Sequence, residues 1–300
     1  MADAPGSKRS HPVVIDLTEG GDASNDITPP KRPRTSPNPP KSKSPIVQAA
    51  ATGQAKRLQQ LLQHSERDVP EAAMAAAAND HLPCIAVIRQ HFCDPEDDEM
   101  HLEFEGREIL EEAVAPAATN GHLDVVEFML SAMMDDGEVN GTATWNAFHA
   151  AVDNGHMDIV KCTAEFLPTW EDNFQEDIGR AVSKGIQGGF IDMVAFLLSW
   201  EEFQGDFGVV FEDAVMNKQH AIAERVYQIY AQLNKGENLF VEMASRGHTG
   251  TIKYMFERGH DDAKLLNEAM KRATANQCTG VVNFLRGTGR LSSETSARAF

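Results

Sequence analysis

The segment Asn120-Gly121-His122-Leu123-Asp124-Val125-Val126-Glu127-Phe128-Met129-Leu130 recurs 34 residues later as Asn154-Gly155-His156-Met157-Asp158-Ile159-Val160. It recurs again, 34 residues further on, as Gly188-Gly189-Phe190-Ile191-Asp192-Met193-Val194-Ala195-Phe196-Leu197-Leu198. A fixed period of this size belongs to a unit that cannot bury its apolar face alone and must stack on copies of itself. The residue types say what the unit is. Small residues, Ala117 and Ala118 in the first copy, precede the glycine where a neighbouring helix must come close. The glycine supplies the left-handed residue that ends this helix. Asp124, Asp158 and Asp192 follow three residues later and are expected to cap the next helix, with Glu127 completing a capping box in the first copy. Val125, Val126, Met129 and Leu130 return at helical spacing as a buried stripe. The unit is a helix, a tight turn and a second helix, and its stack is a solenoid.

Laid along the rest of the chain, the same ruler finds weaker copies at Gly53, Asp80, Lys218, Gly247 and Gln277. Across the eight anchors the residue four places earlier reads Ala49, Ala76, Ala117, Ala151, Gly185, Ala214, Met243 and Ala273. The expectation is an all-α chain of about eight degenerate repeats over residues 45–287, followed by a flexible tail at 288–300. The pattern resembles the ankyrin repeat, whose consensus runs Thr-Pro-Leu-His, Ala-Ala, Gly-His, Val-Val and Leu-Leu. Asn146-Ala147-Phe148-His149-Ala150-Ala151-Val152-Asp153-Asn154-Gly155-His156 is similar to that consensus but replaces its Thr-Pro pair. The resemblance implies an ankyrin-like solenoid in which fingers and first helices form the binding face.

Composition sets further bounds. No run of 18 apolar residues exists, so no membrane span is expected. Met1 to Arg9 lacks the apolar segment of a signal peptide, and the chain is expected to stay inside the cell. Cys84, Cys93, Cys162 and Cys278 show no CxxC spacing and read as reduced core thiols. The formal net charge is −18. Residues 1–48 hold seven Lys or Arg against five Asp or Glu, so the remainder carries more than the whole negative excess. Such an array repels phosphate backbones, which disfavours nucleic acid and suits a partner with a basic protein surface.

Residues 1–44 are rich in Pro, Ser, Lys and Asp and are expected to be a disordered arm. One apolar island interrupts them: Val13, Val14, Ile15, Asp16, Leu17 and Thr18. β-forming residues with no core to join suggest a strand that adds to the edge of a partner's sheet. Val-Val-Ile-Asp-Leu-Thr resembles the SUMO-interacting motif, which implies binding of SUMO or sumoylated proteins. The alternative is a chance apolar run or a strand docked on the repeats. The basic cluster at residues 30–34, with Lys31, Arg32 and Arg34, resembles a nuclear localisation signal and implies an importin partner and a nuclear location. Thr28-Pro29, Ser36-Pro37 and Ser44-Pro45 are candidate acceptors of proline-directed phosphate beside it.

The remaining features read as structural. The acidic runs at residues 94–99 and 135–138 lack the alternating ligands of a calcium loop and read as solvated loops. His122, His156 and His248 recur about one helix layer apart, roughly 10 Å, too far to share one ion, so no metal or other cofactor is expected. Gly-x-Ser-x-Gly, GxxxxGK[ST] and HExxH are absent, and no catalytic residue is assigned. Trp145, Trp170 and Trp200 lie outside the second-helix stripe and are partner-binding candidates or packing residues bridging repeats. The sequence therefore reads as a non-catalytic adaptor. Its rivals are a substrate-recruiting subunit of a ubiquitin or SUMO ligase complex, and a cytoplasmic ankyrin module with accidental short motifs.

Overall fold

The computed structural model describes residues 44–93, 104–134, 141–167, 173–200, 203–233 and 238–291, and among them every regular element is an α-helix. The first eight are α1 (Pro45–Ala51), α2 (Ala55–Leu62), α3 (Val69–Ala78), α4 (Leu82–His91), α5 (Phe104–Asn120), α6 (Leu123–Met134), α7 (Gly141–Asn154) and α8 (Met157–Ala164). The next eight are α9 (Phe174–Gly188), α10 (Ile191–Leu198), α11 (Phe207–Met216), α12 (His220–Leu233), α13 (Leu239–Arg246), α14 (Thr249–Glu257), α15 (Ala263–Ala275) and α16 (Thr279–Gly287). The all-α expectation is met. Val13 to Thr18, Lys31, Arg32, Arg34, Trp170 and the acidic runs at 94–99 and 135–138 lie outside the described residues.

Eight tight turns join each odd-numbered helix to the next, and they are built alike. Gly53, Asp80, Gly121, Gly155, Gly189, Lys218, Gly247 and Gln277 all take positive φ, from 59° at Gln277 to 86° at Gly247. The residue after each anchor donates its backbone N–H to the carbonyl five residues back, at 2.8–3.1 Å: His122 to Ala117, His156 to Ala151, Cys278 to Ala273 and so on through all eight. This is the bond of a Schellman closure, in which a left-handed residue lets the chain reverse onto its own last turn. Asp80, Lys218 and Gln277 adopt this conformation without being glycine, at a cost of about 1–2 kcal/mol each.

The capping expectation is corrected by the same geometry. The Schellman bond closes the turn within one residue of the anchor, so α6, α8 and α10 begin at Leu123, Met157 and Ile191. His156 and Phe190 occupy the N-cap positions of α8 and α10, and neither makes a side-chain cap. Asp124, Asp158 and Asp192 fall inside the first turn. There they favour the positive end of the helix dipole instead of accepting as N-caps, and Glu127, three residues past Asp124, completes no capping box. Side-chain caps occur on α11, α13 and α15. Asp206 accepts from Gly208, Asn238 from Phe240, and Asp262 from Lys264 and Leu265.

The described residues divide into two compact units, with the boundary at Glu171 and Asp172. In the first, α1 packs on α3, α3 on α5 and α5 on α7, while α2, α4, α6 and α8 form a second row with the same order of neighbours. Close approach within the odd row follows from the alanines, since Ala49, Ala50, Ala76, Ala77, Ala117, Ala118 and Ala151 are completely buried. Val125, Val126, Met129 and Leu130 are equally buried between the rows, each larger side chain contributing roughly 1.5–3 kcal/mol. In the second unit α9, α11, α13 and α15 make the corresponding odd row. There α10 packs on α12 and α14 on α16, and α12 also packs on α13.

Candidate protein-interaction surface

The periodic histidines are engaged in holding the turns. His81 Nε2 lies 3.1 Å from the Ala51 carbonyl, His122 Nε2 3.1 Å from Ala78, and His156 Nε2 3.1 Å from Thr119. Each ring reaches back from one turn to the end of the preceding odd-numbered helix and meets a carbonyl that the helix itself leaves unused. The missing Cβ of glycine makes room for it: on Gly121 that atom would sit 2.7 Å from His156 Cε1. In the second unit the link changes chemistry. His248 Nδ1 and Thr251 Oγ1 each lie 2.6 Å from Glu212 Oε1, and the Cys278 thiol donates to the Ser245 carbonyl at 3.3 Å. Among the described residues no group of three or more His, Cys, Asp or Glu is placed to hold a metal ion.

A second periodic signal accompanies the anchors. The residue before the anchor is asparagine at Asn79, Asn120, Asn154, Asn217 and Asn276. The first four donate Nδ2 to the carbonyl four residues back, at 2.7–2.9 Å, and Asn276 donates to Ser245 at 2.8 Å. These side chains add a side-chain donor to carbonyls at or just before the last turn of the helices.

With the turns committed to structure, the charge is found to be concentrated in one stretch of the sequence. Residues 94–172 contain 20 of the 45 Asp and Glu but only two of the 27 Lys and Arg, so the rest of the chain is balanced and this stretch holds the whole net charge of −18. Of its two cations, Arg107 donates to the Met133 carbonyl at 3.3 Å, and Lys161 is on α8. A cleft between α5 and α7 is lined by Glu108, Glu111 and Glu112 from one helix and Thr142, Ala143 and Asn146 from the other. Glu108 and Glu112 are exposed and Glu111 is half-buried. Three carboxylates at i, i+3 and i+4 repel one another, costing the helix about 0.2–0.5 kcal/mol for each like-charged pair. Pro116, inside α5, has no N–H to give the Glu112 carbonyl, which adds an acceptor on that turn. The lining is rich in acceptors and contains neither Lys nor Arg, a chemistry suited to ammonium and guanidinium groups.

The thiols and tryptophans sit elsewhere. Cys84 is fully buried, and burial raises its pKa. Cys162 is pushed up to about 11, first by burial and then by the negative charges of Glu127 and Glu165. Trp145 is 6% exposed and stacks on His149 with ring centroids 5.6 Å apart, and Trp200 is 8% exposed and stacks on Phe174 at 6.1 Å. In the described structure both indoles pack against neighbouring rings.

Fold and surface together define an all-α chain of paired helices with one strongly acidic segment. No known protein family matches the chain, and no curated protein sequence is significantly similar to it. No helix among the described residues is long and apolar enough to cross a membrane.

Proposed function

We propose that this protein is a non-catalytic adaptor: an ankyrin-like solenoid whose acidic α5–α7 surface grips a basic segment of a protein partner, with residues 1–44 binding SUMO and an importin. The observation that carries the reading is the carboxylate-lined cleft of Glu108, Glu111 and Glu112, in a stretch of sequence, residues 94–172, that holds the entire net charge. The eight turns of like geometry and the paired rows of helices in the first unit support the solenoid. A partner bearing both a basic segment and SUMO gains avidity, because contact at one site raises the effective concentration at the other. Nuclear location follows from Lys31, Arg32 and Arg34 if that cluster is read by an importin.

The experiment uses the full chain and its E108Q/E111Q/E112Q variant against a labelled peptide of alternating Lys and Arg. Three rim carboxylates at roughly 0.5–1 kcal/mol each correspond to a weakening of about 10- to 100-fold at moderate salt. Equal affinity in a variant that keeps its helical circular dichroism rejects the cleft. Separately, Val13→Ala, Val14→Ala and Ile15→Ala together are expected to abolish SUMO binding without altering helix content. Persistent binding rejects the motif. Copurification of ligase subunits would favour the ligase-recruiting alternative over a plain scaffold.

A further inference from the structure

We propose that Asn120-Gly121 and Asn154-Gly155 are sites of spontaneous succinimide formation and deamidation that the folded turns hold closed and that local unfolding opens. The chemistry needs no catalyst. The glycine backbone nitrogen attacks the asparagine Cγ, a C–N bond forms, the C–N bond to the side-chain nitrogen breaks, and ammonia leaves with the proton from the glycine amide. Water then opens the five-membered imide at either carbonyl, giving aspartate or isoaspartate. Glycine as the second residue favours attack, because no Cβ shields its nitrogen.

In the folded turns both reacting groups are held. Asn120 Nδ2 donates to the Pro116 carbonyl at 2.8 Å, and Asn154 Nδ2 donates to Ala150 at 2.9 Å. These bonds draw the amide back along the helix, away from the glycine nitrogen. The nitrogens are also engaged, Gly121 donating to Ala118 at 3.3 Å and Gly155 to Val152 at 3.2 Å. At the first site His156 adds a lid: its ring packs against Gly121, and its Nε2 sits 3.1 Å from the Thr119 carbonyl. Modification therefore passes through an opened turn, and its rate follows the opened population. Isoaspartate lengthens the backbone by one atom inside the six-residue Schellman closure, so a modified turn cannot reform its 3.1 Å His122 N–H to Ala117 bond in register. Transient opening thereby becomes permanent.

The test incubates the full chain at neutral pH with and without denaturing urea, then maps Asp and isoaspartate at residues 120 and 154 by mass spectrometry of proteolytic peptides. Both sites are expected to convert at least about tenfold more slowly without urea, the factor produced by an opening cost of only about 1.4 kcal/mol. His156→Ala, studied without urea, is expected to accelerate conversion at Asn120. Equal rates with and without urea overturn the proposal, and that comparison needs no variant. A His156→Ala chain that retains its helical circular dichroism and converts Asn120 no faster than wild type overturns the part assigned to the lid.

Discussion

Replacing Gly121 with alanine should be among the most damaging single-methyl additions this chain can receive, and its cost divides into two separable parts. Gly121 holds φ at 81°, and an L-residue pays about 1–2 kcal/mol in that region. The new Cβ would also lie 2.7 Å from His156 Cε1 and 2.8 Å from its Nδ1. The ring must swing away and lose its 3.1 Å contact with the Thr119 carbonyl, a bond worth about 1 kcal/mol. The expected loss is about 2–3 kcal/mol, and it is not additive with loss of the ring. In a His156→Ala background the clash is gone, and Gly121→Ala should cost only the backbone part, about 1–2 kcal/mol. Urea titrations of the four chains, followed by the fluorescence of buried Trp145 with Trp170 and Trp200 changed to Phe, measure the cycle within one unit. A Gly121→Ala cost below about 0.5 kcal/mol, or the same cost in both backgrounds, would refute the reasoning.

The same turn chemistry predicts a gain at Lys218, whose φ is 61°: Lys218→Gly should stabilise by about 0.5–1 kcal/mol, the left-handed penalty less the entropy of glycine, and a destabilised variant in urea titration would contradict it. Cys162, raised to about 11, should be almost wholly protonated at pH 8 and react far more slowly with iodoacetamide in the folded chain than in urea. Glu127→Gln removes one of the charges that raise it, so the variant should hold more thiolate and label faster at any pH below about 11; labelling unchanged by that substitution argues against the electrostatic part. Neutralising Lys31, Arg32 and Arg34 together should shift a tagged chain from nucleus to cytoplasm in microscopy, and an unaltered distribution removes the import reading.

Much of the local architecture was legible because it is encoded in positions that repeat. The left-handed anchor could be located even at Asp80, Lys218 and Gln277, where no glycine marks it, because buried small residues before it and aliphatic residues after it keep their spacing. The caps were misplaced for a physical reason. An aspartate three residues past the glycine caps only if the loop is longer, but the Schellman bond from His122 to Ala117 lets α6 start two residues past Gly121, leaving Asp124 inside the helix. The role of His81, His122 and His156 in tying successive turns depends on neighbours 30 to 44 residues away, a relation that spacing within one repeat does not reveal. The acidic surface was visible only in part. Averaging charge over residues 49–300 hid its confinement to 94–172, and the juxtaposition of Glu108 and Glu112 with Asn146 required the packing of α5 on α7.

The most direct test of the proposal that the α5–α7 cleft binds a basic segment is carbodiimide footprinting of the full chain with and without a saturating Lys- and Arg-rich peptide. The account predicts that Glu108 and Glu112 lose reactivity when the peptide is bound, while Glu176 and Glu257, exposed in the other unit, keep theirs. Protection spread evenly over both units, or absent from Glu108 and Glu112 while the peptide is bound, would contradict it.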